Sequence, residues 1–255
     1  MVPVARKTRP RGSAIGASAM NEPLVLLPGM MCDARLFWPQ LMEFGATRAV
    51  MFAPVTGAST VGALAAQFLE AAPGRFALLG HEMGGVVALE ILRRAPERVT
   101  RLALVATSAQ PETPQAAADR EPQIVAVRAG RLTSLMRDKI GPACLALGPN
   151  RGEILNLVVD MAEALGPDCF IAQSRAMQRR PDQQKTLRTA RVPTLVLCGA
   201  EDVITPVKRQ AFLAELVPYA ELRVIDGAGH LPTLEQPQAT NEALQDWLES
   251  PLILR

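Results

Sequence analysis

The chain has 255 residues, of which 49% are hydrophobic and 20% are charged. This balance is typical of a single globular domain with a full core, and it excludes a largely disordered chain. The formal net charge of +2 is too small to indicate nucleic acid or an anionic membrane surface as a partner.

The N-terminal residues 1–20 differ from the rest of the chain. They contain four basic residues and no acid, namely Arg6, Lys7, Arg9 and Arg11. They show no apolar periodicity and lack the continuous apolar core of a secretory signal. We therefore predict a disordered basic tail, which is explained either by an upstream start codon, with Met20 just before the first strand, or by a transit peptide.

The four cysteines are scattered and never in CxxC spacing: Cys32, Cys144, Cys169 and Cys198. Without a secretory signal they are interpreted as free thiols of a cytoplasmic protein. No run of about 18 apolar residues is present, so no transmembrane span is predicted.

Strands and helices alternate along most of the chain. Apolar runs predict strands, and i, i+3, i+4 apolar spacing predicts helices. The predicted strands are 23–27, 48–52, 75–79, 101–105, 193–198 and 222–225. The predicted helices are 61–69, 83–94, one that begins near Pro206 with Thr205 as its N-cap, and 237–248. This alternation indicates an α/β fold with a mostly parallel central sheet flanked by helices.

Residues 110–191 interrupt the alternation and contain no convincing strand. One apolar stripe covers 154–165 and is closed by Gly166-Pro167, and a second helix covers about 169–180. We predict a helical lid over the carboxyl ends of the strands, where open α/β sheets bind ligands. The core is then divided into residues 21–109 and residues 192–255.

The segment 80–84 (GHEMG) lies between a predicted strand and a predicted helix. A Gly-x-nucleophile-x-Gly turn in this context holds the side chain at its tip in a strained, exposed position. The free N–H groups of the following helix point at the same place. The tip of this elbow carries Glu82 where serine is expected.

With these motifs the chain resembles the α/β-hydrolase superfamily, within the group of small esterases and enol-lactonases. The resemblance covers residues 23–249. Segment 27–30 (LPGM) is similar to the oxyanion loop, 199–202 (GAED) to the acid turn, 227–230 (GAGH) to the histidine loop, and 235–237 (EQP) to the start of the last helix. This resemblance implies an α/β-hydrolase fold in which the nucleophile, the acid and the base follow one another in that order along the chain.

The resemblance implies a role for each matching residue. His230 would be the base, and Asp202 would orient it, although Glu201 is adjacent. The backbone N–H groups of Met30 and Met83 would form the oxyanion hole. The other histidine, His81, is expected to point its side chain away from the site.

Glu82 departs from serine chemistry because a carboxylate has no proton to give to histidine at neutral pH. Its length predicts a partly buried Glu82–His230 ion pair that raises the pKa of the histidine. Covalent attack on saturated carbon, as in dehalogenase-like and epoxide-hydrolase-like branches, is disfavoured. Met83 stands where dehalogenase-like sites have tryptophan. Epoxide-hydrolase-like sites use tyrosines of the lid, and Tyr219, the single tyrosine, lies outside the predicted lid.

Other side chains have simpler explanations. Ser59 is assigned to a helix start, and Cys32 to the core, with a thiol near the site as the alternative. Six methionines suggest an apolar pocket or plain core packing: Met30, Met31, Met83, Met136, Met161 and Met177. No metal-ligand cluster or cofactor fingerprint is present in the sequence.

Three hypotheses follow from the sequence. The first is a hydrolase of a small ester, lactone or similar carbonyl substrate with an apolar part, with Glu82 acting beside His230. The second is an inactive relative that binds a small molecule or a partner through the old pocket. The third is a variant in which the nucleophile has been deliberately replaced. The oligomeric state is left open.

Overall fold

A computed structural model of the protein describes residues 22–252. The predicted basic tail, residues 1–20, lies outside the described residues. None of the helices between residues 22 and 252 combines the length and apolar character needed to cross a membrane.

Six strands form one sheet in the order β2-β1-β3-β4-β5-β6. The strands are β1 (Leu24–Leu27), β2 (Val50–Phe52), β3 (Phe76–His81), β4 (Val99–Val105), β5 (Thr194–Gly199) and β6 (Glu221–Ile225). Every pairing among the described residues is parallel. The four central strands are buried along their whole length, which explains their continuous apolar runs. The predicted parallel sheet is confirmed.

Eleven α-helices are found between residues 22 and 252. They are α1 (Trp38–Gly45), α2 (Val61–Ala71), α3 (Met83–Arg94), α4 (Pro114–Arg128), α5 (Leu132–Leu135), α6 (Gly141–Cys144), α7 (Arg151–Gln178), α8 (Gln184–Thr189), α9 (Val207–Glu215), α10 (Pro232–Glu235) and α11 (Pro237–Glu249). Short 3-10 and π segments cover Ala34–Phe37 and Met136–Ile140.

The helices form two layers on opposite faces of the sheet. One apolar cluster joins α2, α3 and α9 through residues such as Leu64, Val86 and Leu213. The other joins α1 and α11 through residues such as Phe44 and Trp247. The sheet is therefore covered on both faces, as expected for a parallel α/β sheet.

The segment between β4 and β5 contains α4 to α8 and no strand. The long helix α7 is kinked at Gly166, which has φ +80°. The sequence predicted two helices separated by Gly166-Pro167, and the kink lies at this point. Met161 and Phe170, on either side of it, are both fully buried in the cluster that also covers one face of the sheet.

Two helix-start predictions were wrong. Pro206, not Thr205, occupies the N-cap position of α9, and no side chain caps that helix. The Thr205 hydroxyl instead donates to Asp202. At α2 the N-cap is Thr60, whose hydroxyl accepts from the Ala63 N–H at 3.2 Å, and not the neighbouring Ser59.

Candidate active site

The predicted elbow is present at the junction of β3 and α3. Glu82 lies between them with φ +46° and ψ −110°, a region that side-chain-bearing residues rarely adopt. The glycines are required on both sides. A Cβ on Gly80 would lie 2.5 Å from the Gly84 carbonyl oxygen, and one on Gly84 would collide with the Leu27 carbonyl oxygen.

The Glu82 carboxylate turns toward the oxyanion loop. Its Oε2 accepts the backbone N–H of Met30 at 2.8 Å. Within residues 22–252 no hydrogen bond or salt bridge joins Glu82 to His230, so the predicted direct ion pair was wrong. The carboxylate instead occupies the place that the predicted oxyanion hole would offer to a substrate oxygen.

Several opposing influences set the pKa of Glu82. Burial raises it, whereas the charge of His230 and the hydrogen bond from Met30 lower it. The charge of Arg120 and the N–H of Met83 lower it further, so the pKa lies below its usual value. The carboxylate is therefore ionised at neutral pH, and both predicted oxyanion-hole amides act on it.

A buried glutamine that the sequence analysis missed fixes the oxyanion loop. Met31 has φ +57°, and its N–H donates to Gln173 Oε1 at 2.8 Å. The amide nitrogen of Gln173 donates to the Val55 carbonyl at 2.8 Å. Gln173 lies on α7, 142 residues from Met31, and no local sequence signal connects the two.

Asp202 and His230 meet as predicted. The Nδ1 atom of His230 lies 2.8 Å from Asp202 Oδ2. The carboxylate of Asp202 also accepts the Ile204 N–H at 2.8 Å, the Thr205 N–H at 2.9 Å and the Thr205 hydroxyl at 2.6 Å. These donors fix the carboxylate so that it can orient the imidazole.

The two groups shift each other's pKa in opposite directions. Burial raises the pKa of Asp202, but the hydrogen bond and charge of His230 outweigh it and lower the pKa to about 2. Burial lowers the pKa of His230, whereas Asp202 and then Glu82 raise it, and the net shift is upward. His230 therefore has the Asp202 partner that a general base needs.

Glu235 holds the histidine loop in place. Its carboxylate accepts the Gly229 N–H at 3.0 Å, the Leu231 N–H at 2.9 Å and the Ala146 N–H at 2.8 Å. The amide of His230 itself donates to the Cys144 carbonyl at 2.7 Å. The sequence marked 235–237 only as the start of the last helix, so this role was missed.

His81 does not simply point away from the site, as had been expected. Its Nε2 atom lies 2.8 Å from the His230 carbonyl oxygen, and the two rings pack edge to face with centroids 5.4 Å apart. Burial, followed by the charge of His230, lowers the pKa of His81 to about 4. The ring is therefore neutral and supports the backbone of the histidine loop.

A cavity of about 360 Å³ opens beside Glu82 and His230. Met30, Met31 and Met136 line it, whereas Met83 and Met161 are fully buried in the core. Cys32 and Cys144 are buried and also line the cavity. No tyrosine or tryptophan is among the described residues that line it.

Metal ligation finds no support in the part of the chain that the structure describes. No group of three or more His, Cys, Asp or Glu side chains could hold a metal ion there. The four cysteines are free thiols.

The sequence profile described as "Alpha/beta hydrolase family" matches residues 24–243. The chain belongs to this family. Pimeloyl-acyl-carrier-protein methyl ester esterase of Aromatoleum aromaticum is 28% identical over 237 residues, which cover 87% of this chain and 90% of its own length.

Two solved structures share this fold. A thermophilic esterase from Thermogutta terrifontis is 27% identical, with a TM-score of 0.80 and 90% of each chain covered. The enol-lactonase from Burkholderia xenovorans LB400 has the same TM-score of 0.80, with 94% of each chain covered. At 20% identity, that likeness is evidence for the fold alone.

Proposed function

We propose that this member of the family hydrolyses a small ester, lactone or similar carbonyl compound with an apolar part. The observation that carries the proposal is the hydrogen bond between His230 and Asp202, at 2.8 Å, beside a largely apolar cavity. The esterases among the relatives support the same reaction class.

In this proposal the residues have separate roles. His230, oriented by Asp202, takes a proton from water as the water oxygen attacks the carbonyl carbon, and returns that proton to the leaving alkoxide oxygen when the ester C–O bond breaks. The Met30 and Met83 amides stabilise the oxygen that becomes negative as the carbonyl is attacked. Glu82 stands where serine is expected and cannot follow the acyl-serine route, so it orients the water or supports the charge of His230.

The position of Glu82 limits the native rate. Its carboxylate holds the Met30 amide at 2.8 Å, so a substrate carbonyl can use this donor only after the carboxylate rotates away. Loss of one oxyanion-hole donor lowers kcat by roughly 100-fold to 1,000-fold in other enzymes. We therefore expect weak native activity that depends on His230.

The same contact favours a second candidate function, namely ligand binding without hydrolysis. An ionised side chain that fills the oxyanion hole blocks the carbonyl position in the resting state. A pocket of this kind could still bind a small molecule or a partner.

The decisive experiment compares the native protein, His230→Ala, Glu82→Ser and the double variant on a panel of p-nitrophenyl esters. Glu82→Ser is expected to raise the rate at least about 100-fold, and His230→Ala in that background should abolish the gain. Glu82→Ala is the matched control, because it empties the hole without supplying a nucleophile.

The outcomes separate the two candidates. Native activity that His230→Ala removes supports the hydrolase. If neither the native protein nor His230→Ala hydrolyses any ester of the panel, the binding function is supported. If Glu82→Ser hydrolyses no ester of the panel, the proposal that the other site residues can support serine-hydrolase chemistry is contradicted.

We also propose a small molecule as the partner and the cytoplasm as the location. The four free thiols and the small net charge of +2 support this placement. Nucleic acid and membrane surfaces are not proposed as partners.

A further inference from the structure

Two arginines share one carboxylate beside the cavity. Glu112 has a side chain that is only 6% exposed, and it pairs with Arg120 at 2.7 Å and with Arg180 at 3.2 Å. The two guanidiniums are themselves 17% and 13% exposed. One carboxylate neutralises one guanidinium, and the second positive charge of the cluster acts on the ionised Glu82 of the same cavity.

One guanidinium nitrogen of Arg120 has only a weak hydrogen-bond acceptor. Its Nε and Nη2 atoms donate to Glu112, whereas Nη1 donates to the sulfur of Met30 at 3.5 Å. Thioether sulfur is a weak acceptor. No stronger partner for Nη1 is found among residues 22–252, and Arg120 lines the cavity.

The cation acts on the same site as Glu82. The charge of Arg120 contributes to the lowered pKa of Glu82. Burial lowers the pKa of Arg180, although the charges of Glu112 and Glu82 oppose that shift. Apolar side chains such as Met136 and Phe170 also line this cavity.

We propose that Arg120 binds a carboxylate group on the substrate of this site. The inference rests on the proposed hydrolase function and names its substrate class: an ester or lactone with an apolar segment and a carboxylate. A guanidinium recognises a carboxylate through charge-assisted hydrogen bonds.

The test measures binding of hexanoate and of its neutral counterpart hexanamide to the native protein by calorimetry. Hexanoate is expected to bind about tenfold more tightly, the size of one charge-assisted hydrogen bond. Arg120→Gln should remove this preference. Arg128→Gln, on the exposed side of the same helix, is the matched control and should keep it.

Arg120 also connects α4 to the segment after α7 through Glu112, so its loss could weaken packing. Arg120→Lys keeps a positive charge for Glu112 but lacks the fork of donors, and should reduce the preference to a few-fold. A thermal unfolding curve checks each variant. A lowered Tm with an unchanged ratio of the hexanoate and hexanamide affinities would overturn the proposal.

Two separate measurements distinguish a failure of the carboxylate subsite from a failure of the proposed hydrolase function. Hydrolysis of neutral p-nitrophenyl butyrate by Glu82→Ser tests the proposed hydrolase function with a substrate that carries no negative charge. If that variant is active while native protein binds hexanoate and hexanamide equally, the carboxylate subsite is wrong and the hydrolase remains. If hexanoate is preferred while Glu82→Ser is inert, the subsite remains and the hydrolase is wrong.

Discussion

Two carboxylates at α3, the buried Glu90 and the half-buried Glu82, have different partners. Glu90 pairs with Arg93 and Arg94, each at 2.6 Å, and accepts the Gln183 amide at 2.7 Å. Glu82, at the start of the same helix, accepts the Met30 N–H at 2.8 Å and has no direct salt bridge to any described residue.

The difference shows what each carboxylate does for the molecule. Burial raises the pKa of Glu90, but its arginine partners lower it to about 2, so the ionised form stabilises the fold. Glu82 has a positive φ of 46° and depends on backbone N–H groups and more distant charges. We interpret Glu90 as a structural residue, whereas Glu82 faces the site and carries some backbone strain.

The largest expected effect on stability is at Glu90. Glu90→Gln should lower the free energy of unfolding by about 2 kcal/mol, because two arginines lose their partner and the Gln183 amide is left without its acceptor. This value is below that for fully buried pairs, since water can reach Arg93 and Arg94. Urea denaturation measures the change. A loss below about 0.5 kcal/mol would show that the Glu90 salt bridges contribute no more than ordinary surface salt bridges, and would contradict the prediction.

The next effect concerns the pKa of His230. Asp202 and Glu82 both raise it, so Glu82→Gln should lower it. NMR titration of the imidazole measures this shift, with Glu90→Gln as the control on the same helix. An unchanged His230 pKa would mean that the Glu82 charge does not reach the imidazole.

The same shift makes stability depend on pH. A raised pKa in the folded protein gives a contribution that is fully present below the unfolded value of about 6.5 and is lost as pH rises through the folded value. The native protein should therefore lose stability over this window, and Glu82→Gln should flatten the loss. A steeper decline in the variant would contradict this sign.

The smallest effect is the stability change of Glu82→Gln itself at neutral pH. Removing a buried charge compensates for weakening the hydrogen bond from Met30, so the unfolding free energy should change by less than about 1 kcal/mol. Comparison with Glu90→Gln under the same conditions tests the contrast between the two residues. Equal losses would show that both carboxylates are structural.

The sequence predicted the frame of the site well. Helix α3 has the predicted bounds, 83–94, because its apolar residues and the following proline define it locally. The chain order of Glu82, Asp202 and His230 predicted that the three residues lie at one edge of the sheet. In the structure Asp202 contacts His230, and Glu82 and His230 line the same cavity. Parallel strands make this possible, since their carboxyl ends lie along one edge.

Side-chain partners were harder to predict. The Glu82 carboxylate selects the Met30 amide, 52 residues away, because the loop after β1 presents that N–H at the elbow. Thr205 pairs with Asp202 although its spacing suggested a helix cap. Gln173 reaches the oxyanion loop from α7. These contacts depend on loop geometry and tertiary packing, which periodicity and motif spacing do not contain.

The central claim is that the ionised Glu82 carboxylate occupies the oxyanion hole. The most direct test is an NMR titration that follows the Glu82 side-chain carboxyl carbon and the Met30 amide proton in one sample. We predict that the carboxyl titrates below its usual pKa of about 4.3 and that the Met30 amide proton shifts with it. A carboxyl that titrates above this value, with a Met30 amide that does not respond, would contradict the claim.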